Sequence, residues 1–329
     1  MKYKVPIYYL LIFSIISALA TYFFFYYLND NQQKYTALNG DRNTQSCLGY
    51  VKRLEGFKYI RPFVYSRKGC ESEFLLPLKV ELSQIIDNYK KKGDINSASV
   101  FIKVFGHGEW ICINDSENYR PAALMNIPVL ITYLRNEELH SGYLNKTFKS
   151  TLQNTITNDK SKSIESGRNY TVKELLHYMI AYSDNNATKL LYDNLDTTLF
   201  KRVFSDLEIE APILPLKENT IEIKDYMIFL EALYNAGYLT IDNSEFAAEL
   251  LAECDFKTGL VAGLPDTATI AHEVGLEFFN KQNELHDCGI ILSGNKKYEI
   301  AVMSKGKDAA KLSEFIKTIS HITYQRINN

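Results

Sequence analysis

The longest uncharged run in the chain comes at its start: Val5 to Leu28 carries no charge, with Lys2 and Lys4 before it and Asp30 after it. A helix of that length crosses the hydrocarbon core of a bilayer. The lysines are expected to stay in the cytoplasm, which places everything after Asp30 on the far side of the membrane. Residues 1–28 are therefore read as an N-terminal membrane anchor. Ala18-Leu19-Ala20 resembles a signal-peptidase site, but cleavage there would leave Phe23, Phe24, Phe25, Tyr26 and Tyr27 on a soluble terminus, so an uncleaved anchor is the preferred reading. The same aromatic cluster suits the interfacial belt at the end of a membrane helix. Asn29 to Gln45 is polar and aperiodic, as a juxtamembrane linker would be. Residues 29–73 together are read as linker and stalk.

From residue 74 onward the pattern changes to that of a folded domain. Leu75, Leu78, Leu82, Ile85, Ile86 and Tyr89 recur at helical spacing, and the run ends in Lys90, Lys91, Lys92 and Gly93. A hairpin is predicted next, with Ser99 to Phe105 and Glu109 to Asn114 joined by Gly106-His107-Gly108. Pro121 to Leu139 returns to helical spacing, with Pro128 tolerable only near the start or at a kink. Between Gly142 and Cys254 further helices are expected, including Val172 to Ala181 and Tyr226 to Ala236. Thr269 to Val274, Cys288 to Ser293 and Tyr298 to Ser304 read as short strands, and Ala309 to Arg326 as a closing amphipathic helix. Strands and helices segregated in this way imply an α+β domain over residues 74–329: an antiparallel sheet flanked by terminal helices, with an inserted all-helical lobe.

Charge and cysteine content narrow the partners. A net charge of -2 gives no electrostatic reason to expect nucleic acid. Cys47, Cys70, Cys112, Cys254 and Cys288 lack zinc-type spacing, and Asp266 and Asp287 form no recognisable ligand set with the histidines. No metal or cofactor is expected. In an oxidising compartment Cys47 and Cys70 are placed to form a bridge from stalk to domain, the alternative being that all five thiols are free; Cys112 and Cys288 look like strand core positions. Trp110 reads as a packing residue of the hairpin, and His272 and His286 as structural histidines.

Tyr182-Ser183-Asp184-Asn185-Asn186 lies between two predicted helices, where Asp184 or Asn185 suits the capping position. Alone, that triplet carries little functional weight. In order along the chain, however, it falls between two other matches. Tyr119-Arg120-Pro121-Ala122-Ala123-Leu124-Met125-Asn126-Ile127-Pro128-Val129 precedes it, and Ala271-His272-Glu273-Val274-Gly275 and Leu285-His286-Asp287-Cys288-Gly289-Ile290 follow it. From about Phe74 to Ile322 the chain thereby resembles class A β-lactamases and related penicillin-interacting serine hydrolases, whose signatures are Ser-x-x-Lys, Ser-Asp-Asn and Lys-Thr-Gly.

Carried over residue by residue, that resemblance records losses. The nucleophilic serine falls on Ala123 and its lysine partner on Asn126. Acyl transfer needs an oxygen to form the ester and a base to take its proton, and a methyl group supplies neither. The third signature reads Glu273-Val274-Gly275, so an anion is expected to repel carboxylate ligands where the family has a cation. Ser183, Asp184, Asn185 and Gly275 are retained. The segment where the family places a deacylating Glu runs through Glu208, Glu210, Pro212, Pro215, Glu218, Asn219 and Glu222 without its spacing. The resemblance thus implies a catalytically inactive, membrane-anchored, periplasmic module that binds cell-wall peptide, sugar or an envelope protein. The rival expectation is an active hydrolase with a relocated nucleophile: Ser183, or Ser99 or Ser116 in another register.

Overall fold

The computed structural model describes residues 49–106, 108–151, 160–214 and 219–328. The expected anchor, the linker and Cys47 lie outside them. Among the described residues no helix is long and apolar enough to cross a membrane.

The described chain opens with a hairpin, β1 (Tyr50–Arg53) and β2 (Phe63–Arg67), paired antiparallel. Helix α1 (Leu76–Lys92) follows, then β3 (Ser97–Val104), β4 (Glu109–Ile113) and the short β5 (Asn118–Tyr119). A 3₁₀ turn at Ala122–Met125 leads into α2 (Asn126–Leu139). Strands β6 (Thr147–Lys149) and β7 (Asn169–Thr171) form a small ribbon before α3 (Val172–Tyr182), α4 (Asn185–Asp193) and α5 (Thr197–Asp206). After β8 (Ile221–Glu222) come α6 (Ile223–Tyr234) and α7 (Ile241–Ala252). The chain then returns to the sheet with β9 (Thr269–Phe279), β10 (Gln282–Ser293) and β11 (Lys296–Gly306), and α8 (Ala309–Asn328) closes it.

The main sheet is antiparallel in the order β4-β3-β11-β10-β9, so the strands from before and after the helical lobe meet at the β3–β11 pair. Period-two alternation divides its side chains between two cores. Val100, Ile102, Ile300 and Val302 face α1 and α8, where they pack on Leu78, Leu82, Phe315 and Ile319. Phe101, Ala301 and Met303 face the helical lobe and join α2, α3 and α6 in the larger core. This is the α+β architecture expected, with terminal helices on one face and the lobe on the other.

Local chemistry explains the element ends. Pro128 is the third residue of α2, inside the first turn, where its missing N–H costs no intrahelical hydrogen bond. Thr171 caps α3 through a capping box with Glu174. Helix α6 starts at Ile223, three residues earlier than its apolar periodicity suggested. Strands β9 and β10 run far beyond the predicted ends, because Leu276 to Asp287 pairs as a long hairpin whose polar and aromatic side chains do not alternate cleanly in hydrophobicity.

Residues 50–67, assigned to the stalk, pack as part of the domain: Val64 and Tyr65 are buried in the larger core. A Cβ on Gly237 would come within 2.6 Å of the Val64 backbone, so glycine is what allows the hairpin to lie against the α6–α7 turn. Arg67 reaches Glu231 of α6 at 2.5 Å and Lys103 of β3 reaches the other oxygen at 2.8 Å, which satisfies a fully buried carboxylate from two elements. Cys70 is disulfide-bonded, while Cys112, Cys254 and Cys288 are free and buried. Cys47, its expected partner, is outside the described residues.

Candidate functional site

Three structural features meet at one cleft between the lobe and the β9 edge of the sheet. The first is the turn into α2. Pro121 starts it, the Leu124 amide closes it on the Pro121 carbonyl at 3.0 Å, and Ala122 sits at a left-handed φ of 48°. A non-glycine residue in that region is strained. The turn presents the Ala123 methyl to the cleft.

The second is the corner between α3 and α4. Ser183 ends α3 at φ 49°, its amide donating to the Tyr178 carbonyl, and its side chain opens into the cleft. Asp184 is buried and accepts four hydrogen bonds: from Asn186 N (3.2 Å) and Ala187 N (3.3 Å), which cap α4, and from Ser163 Oγ (2.8 Å) and Ile164 N (2.9 Å). Asn185 then faces the cleft beside Ser183. The capping role anticipated for Asp184 is therefore combined with a tether to the loop before β7.

The third is β9. Gly275 lies against the α2 turn so closely that a Cβ would meet the Pro121 carbonyl oxygen at 2.5 Å. Glu273, two residues earlier and on the lobe face, is fully buried and accepts a hydrogen bond from Asn126 Nδ2 at 3.0 Å. Val274 points through the opposite face into the α1–α8 core. Ala123, Asn126, Ser183 and Asn185 thus share the cleft lining, Glu273 sits behind Asn126, and Asp184, Val274 and Gly275 support the walls. The cleft has a volume of about 790 Å³.

Its electrostatics differ from the expectation in one respect. Burial drives the Glu273 carboxyl well above the usual range, Cys254 adds to the shift, and the Asn126 bond opposes it only in part. Its Oε2 has no hydrogen-bond partner. Glu273 does not line the cleft, so the burial that disfavours its charged form acts behind Asn126 and not on the lining itself. The carboxylates on the lining are Asp193, paired with Lys189 at 2.6 Å, and Glu277, further along β9, within 3.6 Å of the Arg120 guanidinium. That guanidinium in turn lies 3.5 Å above the Phe279 ring.

Glu277, Leu276, Tyr192 and Leu214 complete walls that sequence reasoning did not reach. Leu276 and Glu277 follow Gly275 directly, so extending β9 past the third motif was the available signal. Tyr192 and Leu214 had none. Burial raises the Tyr192 phenol, so it remains protonated. Among the described carboxylates of the 208–222 segment, none lines the cleft. Glu208 pairs with Lys52 at 2.7 Å, and Glu210 faces a separate hollow with Pro212 and Asn219. Glu222 precedes α6 at its N-cap. Pro215 and Glu218 fall outside the described residues.

The rival nucleophiles fare differently. Ser99 is buried in the sheet, donating to the Asn114 carbonyl at 2.5 Å and paired with Tyr119 Oη at 2.9 Å, and Ser116 lies in an exposed turn away from the cleft. Ser183 does face the cleft, beside Asn185 and Asn126.

Both histidines are built into the sheet. His272 Nδ1 lies 2.7 Å from Asp287 Oδ1, and Asp287 Oδ2 accepts from the Leu260 amide at 2.8 Å. Burial would lower the imidazole pKa, but the Asp287 charge and hydrogen bond outweigh it and raise it to about 10. His286 is the reverse case: burial outweighs the nearby Glu284 carboxylate, 3.7 Å from Nε2, and lowers it to about 4. A neutral ring must then donate through Nε2 to the Arg120 carbonyl (2.9 Å) and accept at Nδ1 from the Ser304 amide (3.3 Å). Trp110 stacks on Phe101 and donates to the Lys68 carbonyl at 2.8 Å, as a packing residue should.

A sheet split by an inserted helical lobe, with a cleft bounded by the α2 turn, a Ser-Asp-Asn corner and the edge strand, defines the architecture of the serine β-lactamases and penicillin-interacting proteins. A family model described as the beta-lactamase enzyme family matches residues 77–327, and the chain belongs to that family. A β-lactamase of Phocaeicola vulgatus is 27% identical over 179 residues, 47% of this chain and 55% of that protein, so the match spans about half the length of that relative. Among solved structures, a mutant of PBP-A captured as its acyl-enzyme complex with penicillin G gives a TM-score of 0.65 at 20% identity, covering 76% of this chain and 97% of that one. The TLA-1 extended-spectrum β-lactamase gives 0.67 at 18%, covering 76% and 99%. The β-lactamase of Sphaerobacter thermophilus gives 0.63 at 18%, covering 75% and 97%. At such identities these structures speak for the fold alone.

Proposed function

We propose that this chain is a non-catalytic member of the β-lactamase family, held at the outer face of the cytoplasmic membrane by residues 1–28, whose cleft binds its ligand without forming a covalent bond. The observation that carries the reading is the pair at the head of α2: a methyl group at Ala123 where the cleft needs an oxygen, and Asn126 hydrogen-bonded to the buried Glu273 carboxyl where it needs a base. Loss of the nucleophile alone removes most of the acceleration in a serine hydrolase. The retained corner, with Asp184 fully satisfied, supports a cleft kept in shape for binding. Its hydroxyl and amide groups from Ser183, Asn185, Thr188 and Thr197, beside apolar Tyr192 and Leu195, suit cell-wall peptide, sugar or a segment of an envelope protein.

The test is intact-mass spectrometry after incubating the chain from Asn29 onward with a reactive penicillin, with Ser183→Ala as the control and circular dichroism to verify folding. The expected result is a folded protein with no adduct. An adduct that disappears in Ser183→Ala would make Ser183 the nucleophile and overturn the reading.

A further inference from the structure

The tip of the β1–β2 hairpin gathers exposed apolar and basic side chains in one short loop. Phe57, Tyr59 and Ile60 project from it, with Tyr59 84% and Ile60 58% exposed, three large apolar side chains within four residues. Basic residues are interleaved with them: Arg53, Lys58 and Arg61 against the single anion Glu55, which pairs with Arg61 at 3.0 Å. The Lys58 ammonium lies 4.7 Å from the Tyr59 ring centre. The base of the hairpin is fixed, through Lys52 to Glu208, Arg67 to Glu231 and the burial of Val64 and Tyr65, so the tip is presented by a rigid support.

We infer that this tip is a membrane-contact site, its aromatic and aliphatic side chains entering the headgroup region of the bilayer and Arg53, Lys58 and Arg61 meeting lipid phosphates. Aromatic rings and cationic side chains together are the composition that partitions to that interface, each basic residue adding attraction to an anionic surface. The chain outside the described residues also favours this occupant. The hairpin starts at Tyr50, and only residues 29–49 separate it from the uncharged stretch ending at Leu28. Even fully extended, that separation is at most about 70 Å. A lipid surface is thus held at high local concentration next to the tip. The inference rests on the membrane-anchor part of the function proposed above.

The test uses the full chain reconstituted into vesicles of phosphatidylcholine and phosphatidylglycerol, with and without acyl-chain bromination. Trp110 is the sole native tryptophan and is buried, so Tyr59→Trp adds one reporter at the tip. Subtracting the parent emission isolates it. The expected result is a blue-shifted tip signal that loses intensity in brominated vesicles and recovers when Lys58→Glu and Arg61→Glu are added. An unquenched tip signal in brominated vesicles overturns the inference, as does a blue shift that appears in lipid-free detergent and grows with protein concentration, which would assign the tip to a second copy of the chain. Alkaline extraction of the same vesicles reports separately on the anchor: quenching supports the tip contact whether or not the chain resists extraction, and its absence refutes the contact in either case.

Discussion

Replacing His272 by glutamine removes one half of the buried pair that fastens β9 and β10 to the segment before the last strands. The parent imidazole is charged in the folded protein up to about pH 10 and loses its proton near 6.5 when unfolded. At 1.36 kcal/mol per pH unit, that interval corresponds to about 5 kcal/mol of stability. It matches the roughly 3–5 kcal/mol usually lost when one partner of a buried pair is deleted. The sign follows from the raised pKa: the contribution is complete below pH 6.5 and is lost as pH climbs through about 10. The stability gap between parent and His272→Gln should therefore be widest near pH 6.5 and narrow by about 1.4 kcal/mol for each unit above it. Glu299, buried and with its pKa raised, weakens the fold in the same direction but is present in both proteins. His286, lowered to about 4, acts on the acid side only, where stability falls as pH drops below 6.5. Urea unfolding of both proteins across pH 6.5 to 10 measures the gap directly. A gap that stays constant over that range would refute a charged His272.

Other substitutions probe the frame of the cleft. Asp184→Ala strips four hydrogen bonds from one buried carboxylate and should cost about 3–4 kcal/mol, against about 1–2 for Asp184→Asn, as read from thermal unfolding. Gly275→Ala drives a methyl toward the Pro121 carbonyl and should destabilise by about 1–3 kcal/mol in urea unfolding while moving the α2 turn. Restoring the lost pair in Ala123→Ser/Asn126→Lys should still give no labelling by a fluorescent penicillin. The new lysine meets Glu273, which ionises to pair with it, and a lysine held as the ammonium cannot take the serine proton.

Much of the frame was legible because the patterns involved are local. The 3.6-residue apolar spacing marked α1 and α8, and the capping residues around Ser183 marked the α3–α4 corner. The strand motif was found, but not its length: Phe278, Phe279 and Asn280-Lys281 give β9 and β10 an aromatic, polar end whose pairing depends on cross-strand register rather than on alternation. The β1–β2 hairpin was read as stalk because its sequence mixes aromatic and basic residues around Pro62, and only its contacts with α6 bury it. Glu273 shows a limit of a different kind. Its identity was clear in the sequence, but its charge depends on complete burial behind Asn126, a tertiary property that residue spacing does not encode.

The altered positions form a coherent set when considered together. A lysine at position 126 facing a buried acid would make an ion pair, and an acid at 273 facing a lysine would ionise; with asparagine present instead, burial disfavours the charged carboxylate and one hydrogen bond satisfies part of it. Each change makes the other less costly in the folded state, since neither a lone buried ammonium nor a lone buried carboxylate has to be desolvated. Asp184, by contrast, keeps partners on two segments, and Gly275 keeps a contact that no side chain could occupy. Asp184 and Gly275 are positions whose loss would damage the fold, while Ala123, Asn126 and Glu273 are packed against one another at the head of α2. That division follows from stability alone, so the retained Ser-Asp-Asn corner is evidence about the shape of the cleft, and the Ala123–Asn126 turn is the place where its chemistry must be judged.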